Sequence, residues 1–113
     1  MHKKKLYFDA EAFIREGEAK AKRTTPNEAA REIVRLFAAA INRAYERGYE
    51  AGANGAARKD EYMNGPGMME RAERENGMEP DEDARSITAL FVKKINEGYQ
   101  SGYEDGAADR KEV

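Results

Sequence analysis

The segment INRAYERGYEAGA, residues 41 to 53, returns fifty-four positions later as INEGYQSGYEDGA, residues 95 to 107. With Pro26 set against Pro80 the register runs on without a gap, and fifteen of 28 positions are identical, including Arg31/Arg85, Ile33/Ile87, Leu36/Leu90, Phe37/Phe91, Asn42/Asn96 and Tyr45/Tyr99. Identity at that level marks a duplicated unit, so the two copies are expected to share one local fold.

Each copy opens on a helix-start signal. In TPNE, Thr25 suits the N-cap, Pro26 the first helical position and Glu28 a capping box; EPDE puts Glu79 at the cap and repeats the frame. Ile33, Leu36, Phe37, Ile41, Tyr45 and Gly48 then recur at spacings of three and four, as do Ile87, Leu90, Phe91, Ile95, Tyr99 and Gly102. The spacing predicts one helix to Arg58 and another to Arg110, each spanning about 45 Å at about 1.5 Å per residue. Two such rods expose much apolar flank, which calls for other helices or a second subunit.

The remaining segments are shorter. Asp9 is placed to cap a helix whose face carries Ala10, Phe13, Ile14, Gly17 and Ala21, with Phe8 stapling onto Phe13. Between the long helices, NGPG reads as a break, followed by a short helix from Met68 to Asn76 closed by Gly77. The chain of 113 residues reads as a single helical domain: a short helix within 8–23, the first copy 25–58, a connector 59–78 and the second copy 79–110.

Glycine in a helix costs about 0.8–1 kcal/mol relative to alanine, so repeated glycines need a compensating contact. Ala44, Gly48 and Gly52 are spaced by four, as are Gly98, Gly102 and Gly106, which gives each helix a lane nearly free of side chains. Tyr45 and Tyr49, like Tyr99 and Tyr103, flank the lane. The first reading is a packing seam between copies or subunits, with the tyrosine hydroxyls reaching water. The second is a groove floor on which the tyrosines stack against a planar ligand or grip a partner helix.

Asn42 and Asn96 lie on the tyrosine flank and are read first as amides that set register between helices. Arg31 and Arg85 carry the planar fork suited to phosphate or carboxylate, but their spacing pairs them first with Glu28 and Glu82 on the helix surface. The acidic group Glu79, Asp81, Glu82 and Asp83 lacks Ca²⁺-loop spacing and reads as helix-start stabilisation, so no metal and no cofactor is expected.

Composition narrows the function classes. Net charge is only −2 from 20 basic and 22 acidic residues, which does not indicate nucleic-acid binding. The absence of cysteine rules out disulfides and thiolate chemistry and fits the cytoplasm. No stretch reads as a leader or a membrane span. The single histidine, His2, is expected to fray with the KKK run at 3–5, which reads as a solvated tail. No phosphate loop, metalloprotease helix or nucleophile elbow occurs, so no enzyme is expected.

The segments GYEAG and GYEDG resemble the GYxxG helices near the N-terminus of the flagellar export ATPase regulator, over a short part of each copy. The remainder of each copy does not follow that pattern, and no family is assigned from it.

The expected architecture is all-α, with two long duplicated helices crossed by a short N-terminal one and completed by homo-oligomerisation. The expected function is non-enzymatic: an accessory or inhibitory protein, of a type that mobile elements encode, docking on a macromolecular partner through Tyr45, Gly48, Tyr49, Gly52, Tyr99, Gly102, Tyr103 and Gly106. The alternative is sequestration of a nucleotide-type signal such as a cyclic dinucleotide, with the same tyrosines on the bases and Arg31 and Arg85 on the phosphates.

Overall fold

The computed structural model describes residues 1–21, 28–77 and 82–112. It is all-α, with no strand among the described residues: α1 Ala10–Ala21, α2 Glu28–Ala53, α3 Gly65–Asn76 and α4 Glu82–Lys111. The cap positions expected at Thr25, Pro26, Glu79 and Pro80, and Asp81 with them, lie outside the described residues. Among those described, no helix is long and apolar enough to cross a membrane.

The first turn of α1 is capped and stapled as its sequence predicts. The Ala12 N–H donates to the Asp9 carboxylate at 3.1 Å, and the Phe8 and Phe13 rings lie 5.5 Å apart. Ile14 turns inward and is buried. Glu11 pairs with Arg35 and Glu18 with Arg31, so α1 runs antiparallel to α2.

α2 stops at Ala53, short of the expected Arg58. Gly55 adopts φ +70° and the Ala56 N–H reaches back to the Ala51 carbonyl at 2.9 Å, a left-handed cap that a residue with a Cβ adopts reluctantly. The NGPG segment is likewise the start of α3 and not a break before it. The Asn64 side chain accepts from the Gly67 N–H, Pro66 sits in the first turn where its missing N–H costs nothing, and Gly77 at φ 63° ends the helix.

α2 and α4 are parallel. A Cβ built on Gly48 would come within 2.9 Å of the Tyr103 backbone nitrogen, and one on Gly52 within 2.8 Å of that of Ala107, each lying closer still to the preceding tyrosine carbonyl. Gly102 and Gly106 meet Tyr49 and Ala53 in the same way, so the numbers rise together along both helices. The glycine lanes therefore face each other, and backbone lies on backbone with no room for a side chain between. Each lane points at carbonyl oxygens opposite, where glycine Cα–H groups make weak donors.

Around this seam Ile41, Ala44, Tyr45, Ile95 and Tyr99 are buried to 2% exposure or less. Full burial of each isoleucine contributes about 1.5–3 kcal/mol. Above the glycines, towards the starts of α2 and α4, the rings of Phe37 and Phe91 stack at 3.8 Å between centroids. α1 packs on α2 and α3 on α4, so the order across the molecule is α1, α2, α4, α3. The radius of gyration is 16.5 Å, against about 13 Å for a compact chain of this length.

Candidate functional site

Two extended arms, residues 1–9 before α1 and 56–64 before α3, run back along the helix pair. The first lies on α2 and crosses to α4; its first six residues are exposed, as its composition suggests, but they are tied down by side-chain contacts and do not hang free. Lys3 pairs with Glu46 at 2.9 Å and Lys4 with Asp105 at 2.7 Å, and His2 reaches Asp109 through both its N–H and its ring.

Each arm is held by an asparagine and a tyrosine of a long helix. Asn42 accepts from the Phe8 N–H at 2.8 Å and donates to the Phe8 carbonyl at 3.0 Å. Asn96 does the same with Met63, at 2.8 and 3.0 Å. These amides grip arm backbone and do not set register between helices, because a planar amide matches one residue's N–H and C=O as a neighbouring strand would. The Tyr45 hydroxyl accepts from the Lys4 N–H at 2.8 Å, and the Tyr99 hydroxyl from the Lys59 N–H at 3.1 Å.

The outer ring faces are taken as well. Tyr7 stacks on Tyr45 at 4.9 Å and Tyr62 on Tyr99 at 5.1 Å, so a planar ligand on either buried ring would have to displace an arm. Gly48, Gly52, Gly102 and Gly106 face the opposite helix. Tyr49 and Tyr103 are partly exposed; Tyr49 donates to Asp109 at 2.5 Å and Tyr103 to the Ala56 carbonyl at 2.5 Å. The arginines sit apart from this group, each anchoring a short helix. Arg31 holds Glu18 at 2.8 Å as well as Glu28, and Arg85 holds the buried Glu73 at 2.7 Å instead of the expected Glu82.

Electrostatics separate the two arms. The Asp105 Oδ2 receives both the Lys4 ammonium and the Tyr45 hydroxyl, at 2.7 and 2.6 Å. Burial pushes the Tyr45 hydroxyl up to about 12, with the Asp105 hydrogen bond adding to it. Burial also raises Asp105, but its bonds to Lys4 and Tyr45 outweigh that and leave the carboxyl below its usual range. Asp109 is held down to about 2 by hydrogen bonds from Tyr49 and then His2. His2, Asp109 and Glu112 bring three metal-ligand-type atoms within 4.8 Å, and Asp109 is also hydrogen-bonded to Tyr49 and His2, so these side chains close the first arm onto the end of α4.

The helical spacing does not point to the arm residues as binding positions, although a signal exists. Lys4/Lys59, Tyr7/Tyr62 and Glu18/Glu73 stand fifty-five apart, not fifty-four, so a gap-free alignment ends before reaching them. Allowing a single gap between Glu18 and Pro26 extends the correspondence through both arms. Comparison with known proteins finds no family model, no curated protein and no solved structure that matches this chain.

Proposed function

We propose that this chain is a non-enzymatic binding protein, built from an internal duplication, that pairs with a second copy and presents its arm-bearing end to a macromolecular partner. The observation that carries the reading is the chemical division between the two ends of the α2–α4 pair. The end where both helices begin leaves Leu36 71%, Leu90 53% and Ile33 50% exposed, and Phe13 of α1 is 39% exposed. At the other end, charged and tyrosine side chains tie the arms down.

A second copy is the occupant that this apolar end fits. The chain is more open than a compact domain of its length, and among the described residues the fully buried side chains lie at the seam, which favours further burial against a second chain. Leu36 and Leu90 are corresponding positions of the two repeats, and a surface that repeats itself suits a self-complementary contact. The accessory or inhibitory role then belongs to the opposite end.

Sedimentation equilibrium over a range of concentrations tests this. The native chain is expected at twice its monomer mass of 12.7 kDa, and the Leu36→Glu, Leu90→Glu double variant as a helical monomer. A native chain that stays monomeric, or a double variant that still pairs, removes the reading.

A further inference from the structure

The two arms carry matching basic residues, but among the described residues only those of the first arm pair with carboxylates of the chain. Lys3 and Lys4 of the first arm meet Glu46, Asp105 and Asp109, directly or through Tyr45, Tyr49 and His2. The corresponding residues around the second arm are Gln100, Ala51 and Gly55, while Arg58 and Lys59 stand where Lys3 and Lys4 do. The basic residues are thus kept and the carboxylates are gone.

The difference is sharpest at the buried tyrosine. On the first side a single carboxylate oxygen takes both the Lys4 ammonium and the Tyr45 hydroxyl proton. On the second, Tyr99 is 2% exposed and its oxygen accepts from the Lys59 N–H, yet among the described residues no acceptor takes the hydroxyl proton and no carboxylate pairs with Lys59 or Arg58. The Lys59 ammonium instead lies 5.8 Å above the Tyr62 ring and the Arg58 guanidinium 5.9 Å above the Tyr103 ring. Arg110 packs its guanidinium against Gly55, where the first side has Asp109, and so adds a third cation. Ala51 is partly exposed, so the place of the absent carboxylate opens to solvent.

We infer that this place binds a carboxylate supplied from outside the chain, which accepts from the Tyr99 hydroxyl and the Lys59 ammonium as Asp105 does from Tyr45 and Lys4. A carboxylate is the group indicated, because the chain itself places one among the same two donors on its other side. Charge-assisted bonds of this kind are among the stronger ones available at a half-open site. The inference is independent of what covers the apolar end.

Nuclear magnetic resonance titration of the whole chain tests it, using sodium acetate, a blocked Gly-Asp-Gly tripeptide and sodium chloride at matched ionic strength. Acetate and the peptide are expected to shift the Lys59 amide and the Tyr99 ring signals saturably, while Lys4 and Tyr45 stay still. Lys59→Met and Tyr99→Phe are each expected to weaken binding about tenfold. Ala51→Asp supplies the carboxylate from within the chain and is expected to abolish binding while raising the melting temperature. Equal affinities assign the site to free small carboxylates, and a peptide preference of about tenfold or more assigns it to an acidic side chain of a protein. Shifts no larger than those from chloride, or an Ala51→Asp chain that binds as the native one does, overturn the inference.

Discussion

Tyr45 donates its hydroxyl proton across the helix seam to Asp105 at 2.6 Å. The bond joins α2 to α4 and, through the Lys4 N–H on the same hydroxyl, fastens the first arm to both. Because Tyr45 is pushed up to about 12, the folded state favours its neutral form. Its contribution to stability is complete below the ordinary tyrosine value of about 10 and is lost as pH rises towards 12. A spectrophotometric tyrosine titration is expected to show Tyr45 and Tyr49 titrating late, Tyr49 because of its hydrogen bond to Asp109, and Asp105→Asn to bring Tyr45 back towards the ordinary value.

At the acid end the sign reverses. Asp105 and Asp109 lie below the usual carboxylate range, Asp109 at about 2, so their contribution is complete above the unfolded value of about 4 and falls away as pH drops towards 2. Denaturant melts at a series of pH values should show stability falling through that window. The fall should be shallower in Asp109→Asn, and a variant with the native slope would contradict this account.

Gly48→Ala and Gly102→Ala should each destabilise by about 3 kcal/mol or more, because the added methyl meets backbone that cannot swing aside. Gly17→Ala is the matched control. Nothing lies within 4 Å of its Cβ position, so helix propensity alone should stabilise it by about 0.5–1 kcal/mol. Thermal or chemical denaturation of the three variants separates the two kinds of helical glycine.

Asn42→Ala and Asn96→Ala each remove two hydrogen bonds to one residue of an arm, at an expected cost of about 1–3 kcal/mol. Hydrogen exchange adds a local reading. Asn42→Ala should release the Phe8 amide and spare that of Met63, and Asn96→Ala should do the reverse. Release of both by either variant would mean that the arms do not come away separately.

Much of the secondary structure is legible in the residues. Three-and-four spacing marks α2 and α4, Asp9 and Phe8 announce the start of α1, and Gly77 its counterpart at the end of α3. Periodicity reports which side of a helix is apolar, and it carries through to the buried residues Ile41, Ile95, Tyr45 and Tyr99. The end of α2 is less legible, because the turn at Gly55 follows glycines that the helix itself tolerates at Gly48 and Gly52. A glycine needed for backbone approach and one needed for a positive φ look alike as letters.

What the sequence by itself determined is a helical chain, because apolar, glycine and tyrosine positions recur at three-and-four spacing in one pattern that is written twice. The tertiary structure alone decided that α2 and α4 run parallel with their lanes face to face, since a lane of small residues permits close approach in either direction. It also decided the fate of the arms. Lys4 meets Asp105 across 101 residues, and Asn42 binds a backbone amide and carbonyl that carry no residue identity. Contacts of that kind leave no periodic trace along the chain, and they exist only once the helix pair has brought their donors and acceptors together.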